Sequence, residues 1–380
     1  MKLLHTSDWH LGMTFRNGIS YAADQKFFIE KICDIAVEHK VQAIMISGDI
    51  YDKSIVSREA IDLYNRAIEK MCLELGIPVL IIAGNHDGAE RLSMLSELLK
   101  KAGLYVQGAL TKEPAIVNFG DTDIFMLPWI TTDKVKTIYE DEADNINSIE
   151  DAYQIVLDKY RERFIPGHKN ILMSHAFIVN AETSVSDRAA EVGRATMVSA
   201  KVFDGFDYVA LGHIHGPQQI SEKIRYSGTP MPYSFGKEEK QQKSVTIIDT
   251  DSFRQEIVPL PTLNARNTIR GSYEELLKAD YDNKIVDGYL RLEVTDTYVG
   301  IEAMSALRER YKNLLEIAGK SLEKEDAEIT MTIEEYEQVQ MDPQSVFGRF
   351  CEDILEEKPS EHLMSLFDKA VSLYEKEALD

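Results

Sequence analysis

Short apolar runs alternate with stretches of helical periodicity through the first 260 residues, the pattern of a layered α/β fold. Residues 2–6, 41–47 and 78–83 read as strands. Between and after them, Phe27, Phe28, Ile32, Ile35 and Ala36 predict a helix over 23–38, and Ile61, Tyr64, Ala67 and Ile68 predict one over 57–75. Leu92, Leu95, Leu98 and Leu99 predict a third over 89–102. Further strands are expected at 122–127, 170–174 and 207–211, separated first by an acidic stretch, 131–166, whose second half carries Ile149, Tyr153, Val156, Leu157 and Tyr160 at helical intervals. Residues 178–200 hold few large apolar side chains and read as a surface loop bordering an active site. Three more segments, 224–227, 244–249 and 254–259, read as antiparallel strands completing a second sheet.

Pro259 and Pro261 then interrupt the strand pattern and mark a boundary. Beyond it, residues 267–333 predict strand, helix, strand, helix and strand, the last at 329–333, enough for a small α/β domain. The end of the chain, 344–377, is helical in pattern, with Val346, Phe347, Phe350 and Ile354 on one face and Leu363, Met364, Phe367 and Val371 on another. The expected organisation is a core over 1–260, a small domain over 265–335 and a helical segment over 344–380.

Composition narrows the possibilities. The 380 residues carry a formal charge of -22, which argues against nucleic-acid binding through a broad basic surface, since that relies on clustered Lys and Arg. A DNA-acting chain of this charge needs positive charge from bound metals or from a partner. No apolar run approaches the roughly 20 residues that span a bilayer, and no signal-peptide core follows Met1, so a cytoplasmic protein is expected. Cys33, Cys72 and Cys351 are far apart within helix-like patterns and read as buried thiols.

The chemistry gathers at strand ends. Asp8-Trp9-His10, Gly48-Asp49, Gly84-Asn85-His86-Asp87, Ser174-His175 and Gly212-His213-Ile214-His215 each follow a predicted strand and together use five of the nine histidines. Carboxyl edges of strands are where α/β sheets place ligands, and imidazole with carboxylate and amide oxygen suits a divalent transition metal. Asp8, His10, Asp49, Asn85, His175, His213 and His215 supply seven donors, one short of two four-donor shells. One donor must therefore bridge, and Asp49 is assigned that place. Asp8, His10 and His215 complete one shell; Asn85, His175 and His213 complete the other. His86 is left for acid–base work on a phosphate ester, with Asp87 expected to fix its tautomer. Trp9 is expected to pack between layers, Asp52 to serve a turn or helix cap, and His5, His39, His168 and His362 to be structural or solvated. Lys53, Arg91 and Arg188 lie near the predicted loops as ordinary surface cations or phosphate contacts.

In this order and spacing, the five motifs resemble the calcineurin-like metallophosphoesterase superfamily over residues 1 to about 250. The opening Leu-Leu-His-Thr-Ser-Asp-Trp-His-Leu-Gly, the run Phe206 to His215, and Tyr226-Ser227-Gly228-Thr229-Pro230 are similar to the SbcD family of bacterial nuclease subunits. That resemblance implies a two-sheet layered core and two Mn2+ ions, with Mg2+, Fe2+ or Zn2+ as substitutes. The seven positions above are then metal ligands and His86 the catalytic residue. It also implies 3'-to-5' exonuclease action on duplex ends and endonuclease action on hairpins and single strands. The implied partners are DNA, an SbcC-type coiled-coil ATPase and a second copy of the chain within a heterotetramer, with no membrane. The small domain then caps the core and binds DNA, and the C-terminal helices dock on the ATPase coiled coil. The competing expectation is a phosphatase or phosphodiesterase on a smaller substrate, since a fold does not fix its substrate. Gly48-Asp49-Ile50-Tyr51-Asp52 lacks the arginine that protein phosphatases carry there.

Overall fold

Strand β1 (Lys2–Thr6) lies in the middle of a six-stranded sheet, with β2 (Ala43–Ser47), β3 (Val79–Ile82) and β4 (Leu104–Gln107) following in parallel on one side. The computed structural model describes residues 1–15, 19–179, 181–184, 186, 197–279, 281, 285, 287–296 and 301–319, with isolated positions 364, 366 and 367. A second six-stranded sheet holds β5 (Ile116–Phe119), β6 (Thr122–Leu127) and β7 (Lys169–His175). It continues past the small two-stranded pair β8 (Phe177–Ile178) and β9 (Met197–Val198) with β10 (Tyr208–Gly212), β11 (Gln218–Gln219) and β12 (Ile224–Tyr226). Its spatial order is β11-β12-β10-β7-β6-β5.

Leu3, Ala43, Met45, Leu80 and Ile82 of the first sheet pack against Ile124, Met126, Ile171, Met173, Tyr208 and Ala210 of the second. Alternate residues on the outer faces bury against helices. On the first sheet Leu4, Ile44, Ile46 and Ile81 meet Phe28, Ile32 and Ala36 of the helix Ala22–Glu38. On the second, Leu172, Val209 and Leu211 meet Tyr153, Val156 and Tyr160 of the helix Ile149–Arg161. Both faces of each sheet being covered explains why the strands read as continuous apolar runs.

Several expectations are corrected. The segments β13 (Ser244–Asp249) and β14 (Arg254–Pro259) join the first sheet, where β13 pairs antiparallel with the free edge of β1, Leu3 opposite Ile248. β12 alone joins the second sheet, and it runs parallel to β10. The helix expected over 89–102 is two single turns, Ala89–Leu92 and Ser96–Leu99, because Leu95 adopts a left-handed conformation at φ 62°. Ser93 there accepts the Gly108 backbone N–H instead of extending a helix, and Met94, Leu95 and Leu98 stay 65, 63 and 60% exposed. The helix Arg58–Ile68 passes into a π-helical segment and buries Ala60, Leu63 and Ala67, leaving Ile61 exposed.

Beyond the prolines, β15 (Arg266–Gly271), β16 (Tyr289–Val294) and β17 (Leu314–Gly319) form a parallel sheet with its own apolar cluster of Leu276, Leu290, Leu292, Val294 and Leu307. The third strand is β17; residues 329–333, Cys351, His362 and the helical pattern of 344–377 lie outside the described residues, three isolated positions apart. The chain divides into two units, Met1–Lys320 and Ser321–Asp380. Among the described residues no helix is long and apolar enough to cross a membrane.

Candidate metal centre

The carboxyl ends of β1, β2, β3, β7 and β10 converge, and the side chains of all five motifs meet there. Their loops are tied backbone to backbone: Asp8 donates its N–H to the Gly48 carbonyl at 3.0 Å, His10 to Asp49 at 3.0 Å and Leu11 to Ile50 at 2.8 Å. Asp8, His10, Asp49 and His213 all hold φ between 45° and 105°, a region costly for side-chain-bearing residues and found where function over-determines the backbone. Closeness also demands glycine. A Cβ on Gly84 would overlap the Asp49 carboxylate, and one on Gly212 would overlap the Ser47 carbonyl.

Asp8, His10 and His215 bring one donor atom each within 4.8 Å of one another. His10 Nε2 and His215 Nε2 are 3.0 Å apart, and the buried His10 Nδ1 has no hydrogen-bond partner. On the other side Asn85 Oδ1 lies 3.0 Å from His175 Nε2 and 3.1 Å from His213 Nδ1. Asp49 Oδ2 stands between, 3.8 Å from His10 Nε2 and 3.4 Å from His175 Nε2. Lone-pair donors facing one another in a dry site call for a cation, and the electrostatics agree. Burial and the nearby Asp49 charge push the Asp8 carboxyl up to about 8. Burial also works against a charge on His175, but Asp49 overrules it and raises that imidazole to about 9. The Asp49 carboxylate, despite its burial, is held well below its usual range by His175, His10 and His86. The donor set and its unmet charge fit divalent metal.

His86 lies beside the first group, with a ring nitrogen within 4.8 Å of donor atoms on His10 and Asp49. Its backbone N–H donates to Asp49 Oδ1 at 2.9 Å, and its Nδ1–H donates to the Asp52 carbonyl at 2.8 Å. This leaves Nε2 directed toward the cluster, 3.9 Å from Asp49 Oδ2. The expectation that Asp87 fixes the tautomer is corrected: its carboxylate accepts the backbone N–H groups of Gly84, Ile50 and Tyr51, and so staples the β2 and β3 loops. Asp52 acts through its main chain, and the cap of the following helix is Ser57. Arg91 is exposed and donates to the Ser54 carbonyl, Lys53 is exposed, and Arg188 lies outside the described residues. His5 is structural, between the Tyr208 hydroxyl and the Leu211 carbonyl, and Trp9 packs on Phe28.

Four supporting residues escaped the sequence reading. Trp129 stacks on His213, ring centroids 5.3 Å apart and 24° between planes; its signal was available, since it follows the end of β6 at the same sheet edge. Tyr233 donates its hydroxyl to the Trp9 carbonyl at 2.5 Å and sets its ring edge-on to His10. Glu238 and Lys243 form a fully buried ion pair at 3.1 Å. Lys243 also donates to the His215 carbonyl at 2.9 Å, while Glu238 accepts from Ser186, whose hydroxyl lies 2.6 Å from His215 Nδ1. Nothing in the polar run Gly236 to Lys243 distinguishes these two from solvated charges.

A two-sheet layered core with a histidine–carboxylate–amide cluster at the strand ends defines a metal-dependent phosphoesterase. Residues 1–217 match the calcineurin-like phosphoesterase model, and the chain belongs to that family. Residues 267–354 match the model described as type 5 capsule protein repressor C-terminal domain. Over 322 residues the chain is 32% identical to the SbcD subunit of the nuclease SbcCD from Staphylococcus epidermidis, covering 84% of this chain and 85% of that relative.

Proposed function

We propose that the chain is the nuclease subunit of an SbcCD-type complex, a two-metal hydrolase of DNA phosphodiester bonds working with a coiled-coil ATPase. The observation that carries this is the placement of His86. Its Nδ1 is clamped to the Asp52 carbonyl, and its Nε2 reaches the edge of the donor cluster beside His10 and Asp49, where neither proposed donor group needs it for completion. Asp8, His10 and His215 would hold one ion and Asn85, His175 and His213 the other, with Asp49 placed to serve both. Manganese is the favoured metal, with Mg2+, Fe2+ or Zn2+ suited to the same donors. When bound, the ions supply Lewis-acid charge to the phosphoryl oxygens and make a water acidic enough to attack.

The chain's own residues do the rest. Asp49 sets the spacing of the two donor groups through its single carboxylate, and His86, with both ring nitrogens protonated, gives its Nε2 proton to the departing sugar oxygen while Nδ1–H stays on the Asp52 carbonyl. The Asp52 carbonyl keeps that ring in one orientation and, after the transfer, in one tautomer. Duplex ends, hairpins and single strands are the proposed substrates, in DNA repair and recombination. The similarity to a relative named as part of SbcCD supports the ATPase partner. Exposed Met94, Leu95 and Leu98 support a second copy of the chain. We assign residues 1–260 to the nuclease core, 265–335 to a capping domain that touches DNA, and 344–380 to helices docking on the ATPase coiled coil.

The test is cleavage of end-labelled duplex and hairpin DNA with Mn2+, ATPase partner and ATP, for the wild type and His86→Ala. The variant should lose about 100- to 10,000-fold in rate and still bind two ions by calorimetry. A wild-type chain that binds two ions yet cleaves no DNA, while hydrolysing a small phosphodiester, would replace this reading with that of a small-substrate phosphodiesterase.

A further inference from the structure

The Tyr233 ring, 5.8 Å from His10 and 6.4 Å from His215, is a wall shared by the metal centre and a neighbouring cavity of about 240 Å³. Phe15, Tyr21, Tyr233 and Phe235 line it, and Arg291 and Glu316 of the small sheet stand in its rim. That volume lies below the roughly 300–1,000 Å³ of sites enclosing a whole ligand, and it suits one planar group. Phe15 and Phe235 meet edge to face at 88°, forming an aromatic corner.

Positive charge backs this corner. The Arg266 guanidinium is buried behind Tyr21, Phe235 and Tyr289, at 5.0, 5.3 and 5.3 Å from their ring centres. Its Nε donates to the Pro232 carbonyl, and the rest of the guanidinium faces these three rings and the Tyr21 hydroxyl. At the rim Arg291 pairs with two carboxylates, Nη2 3.5 Å from Glu293 and Nε 3.8 Å from Glu316, and its buried Nε makes no hydrogen bond. Aromatic rings, a buried Arg291 Nε without a hydrogen bond and a shared wall with the reactive centre meet at this one seam.

We propose that this cavity takes the base of a nucleotide flanking the scissile phosphate, stacked on Phe15 with its edge toward the Phe235 ring and with Arg291 hydrogen-bonding at the rim. The inference rests on the nuclease reading and deepens it. Stacking is indifferent to sequence and to net charge, so it grips DNA on a chain of charge -22 without relying on a broad basic surface. Each stacked base is worth about 5- to 150-fold in affinity.

The experiment uses the full chain with its ATPase partner and Mn2+, on single-stranded DNA carrying one abasic site stepped through the positions around the cleaved bond. For the wild type, an abasic site at one flanking position should raise KM by about 5- to 150-fold with kcat little changed. Phe15→Ala should raise KM on intact DNA by a similar factor and lose its sensitivity to that abasic site. Phe15→Trp should restore both, which separates stacking from damage to the loop. Cleavage by the wild type that ignores abasic sites at every position overturns the proposal. So does an equal KM penalty of Phe15→Ala on intact and abasic strands. Absence of any DNA cleavage by the wild type would instead overturn the nuclease reading itself, and this inference with it.

Discussion

The two sides of the donor cluster are held in place by different physics. His175 and His213 are fixed by neutral groups: His175 Nδ1 lies 2.9 Å from the Ser47 carbonyl, and Trp129 covers the His213 ring. On the other side only His215 leans on a buried ion pair. Gln25 holds the His10 carbonyl at 2.7 Å, but behind His215 stands the buried Glu238–Lys243 pair. Burial works against the Glu238 carboxylate, yet Lys243 overrules it and holds it well below the usual range. Neutral support is tolerant, because each group is satisfied by itself. Charged support is rigid but conditional, since removing either member leaves the other unpaired in a dry interior.

That contrast is breakable in graded steps. Asp49→Asn acts on both sides at once and should abolish binding of the ion pair; calorimetric titration with Mn2+ that still shows two sites would refute a bridging role. Lys243→Met strands the Glu238 charge and should cost about 3–5 kcal/mol in urea unfolding of the metal-free chain, most of it recovered by adding Glu238→Gln. A loss no larger than that of a surface lysine would show the pair to be solvated. Glu238→Gln alone should weaken one ion by about 10- to 100-fold and spare the other, so equal weakening of both would erase the distinction between the sides. Smallest, Trp129→Phe keeps a ring over His213 and should weaken the second ion by about 2- to 10-fold; loss of the first ion instead would reverse the assignment.

Most of the donor set was legible because its residues follow strands, and strands are read from apolar runs. The seven donors and His86 all lie at the strand edge the sequence pointed to, and the structure brings them together. Their grouping as ligands remains a proposal that the titrations above address. What the sequence did not carry is information about depth. Glu238 and Lys243 look like any other charges in a polar stretch until the fold covers them, whereas Trp129, just past the end of β6, carried a signal that was passed over. Asp87 was misread because its partners are backbone N–H groups of another loop, and no side-chain pattern encodes those. The small sheet was legible in its first two strands, while β17, with Leu314, Leu315 and Ile317 closely spaced, lacks the alternation expected of a strand with one solvated face.

The seating of β1 between β2 and β13 sets an order in time. Residues 2–6 leave the ribosome before either neighbouring strand, and the second of these neighbours is about 240 residues away in the chain. At translation rates of about 5–20 residues per second, some 10–50 s separate the synthesis of β1 from that of the strand that flanks it. His213 and His215 arrive late in the same interval. The cleavage centre is therefore finished only as its sheet closes, and a half-made polypeptide carries Asp8 and His10 without the partners that would arm them. Ribosome-stalled chains ending near residue 200 should show no tight Mn2+ uptake, whereas those with residues 1–260 exposed should, so synthesis itself keeps the newborn protein harmless to the DNA around it.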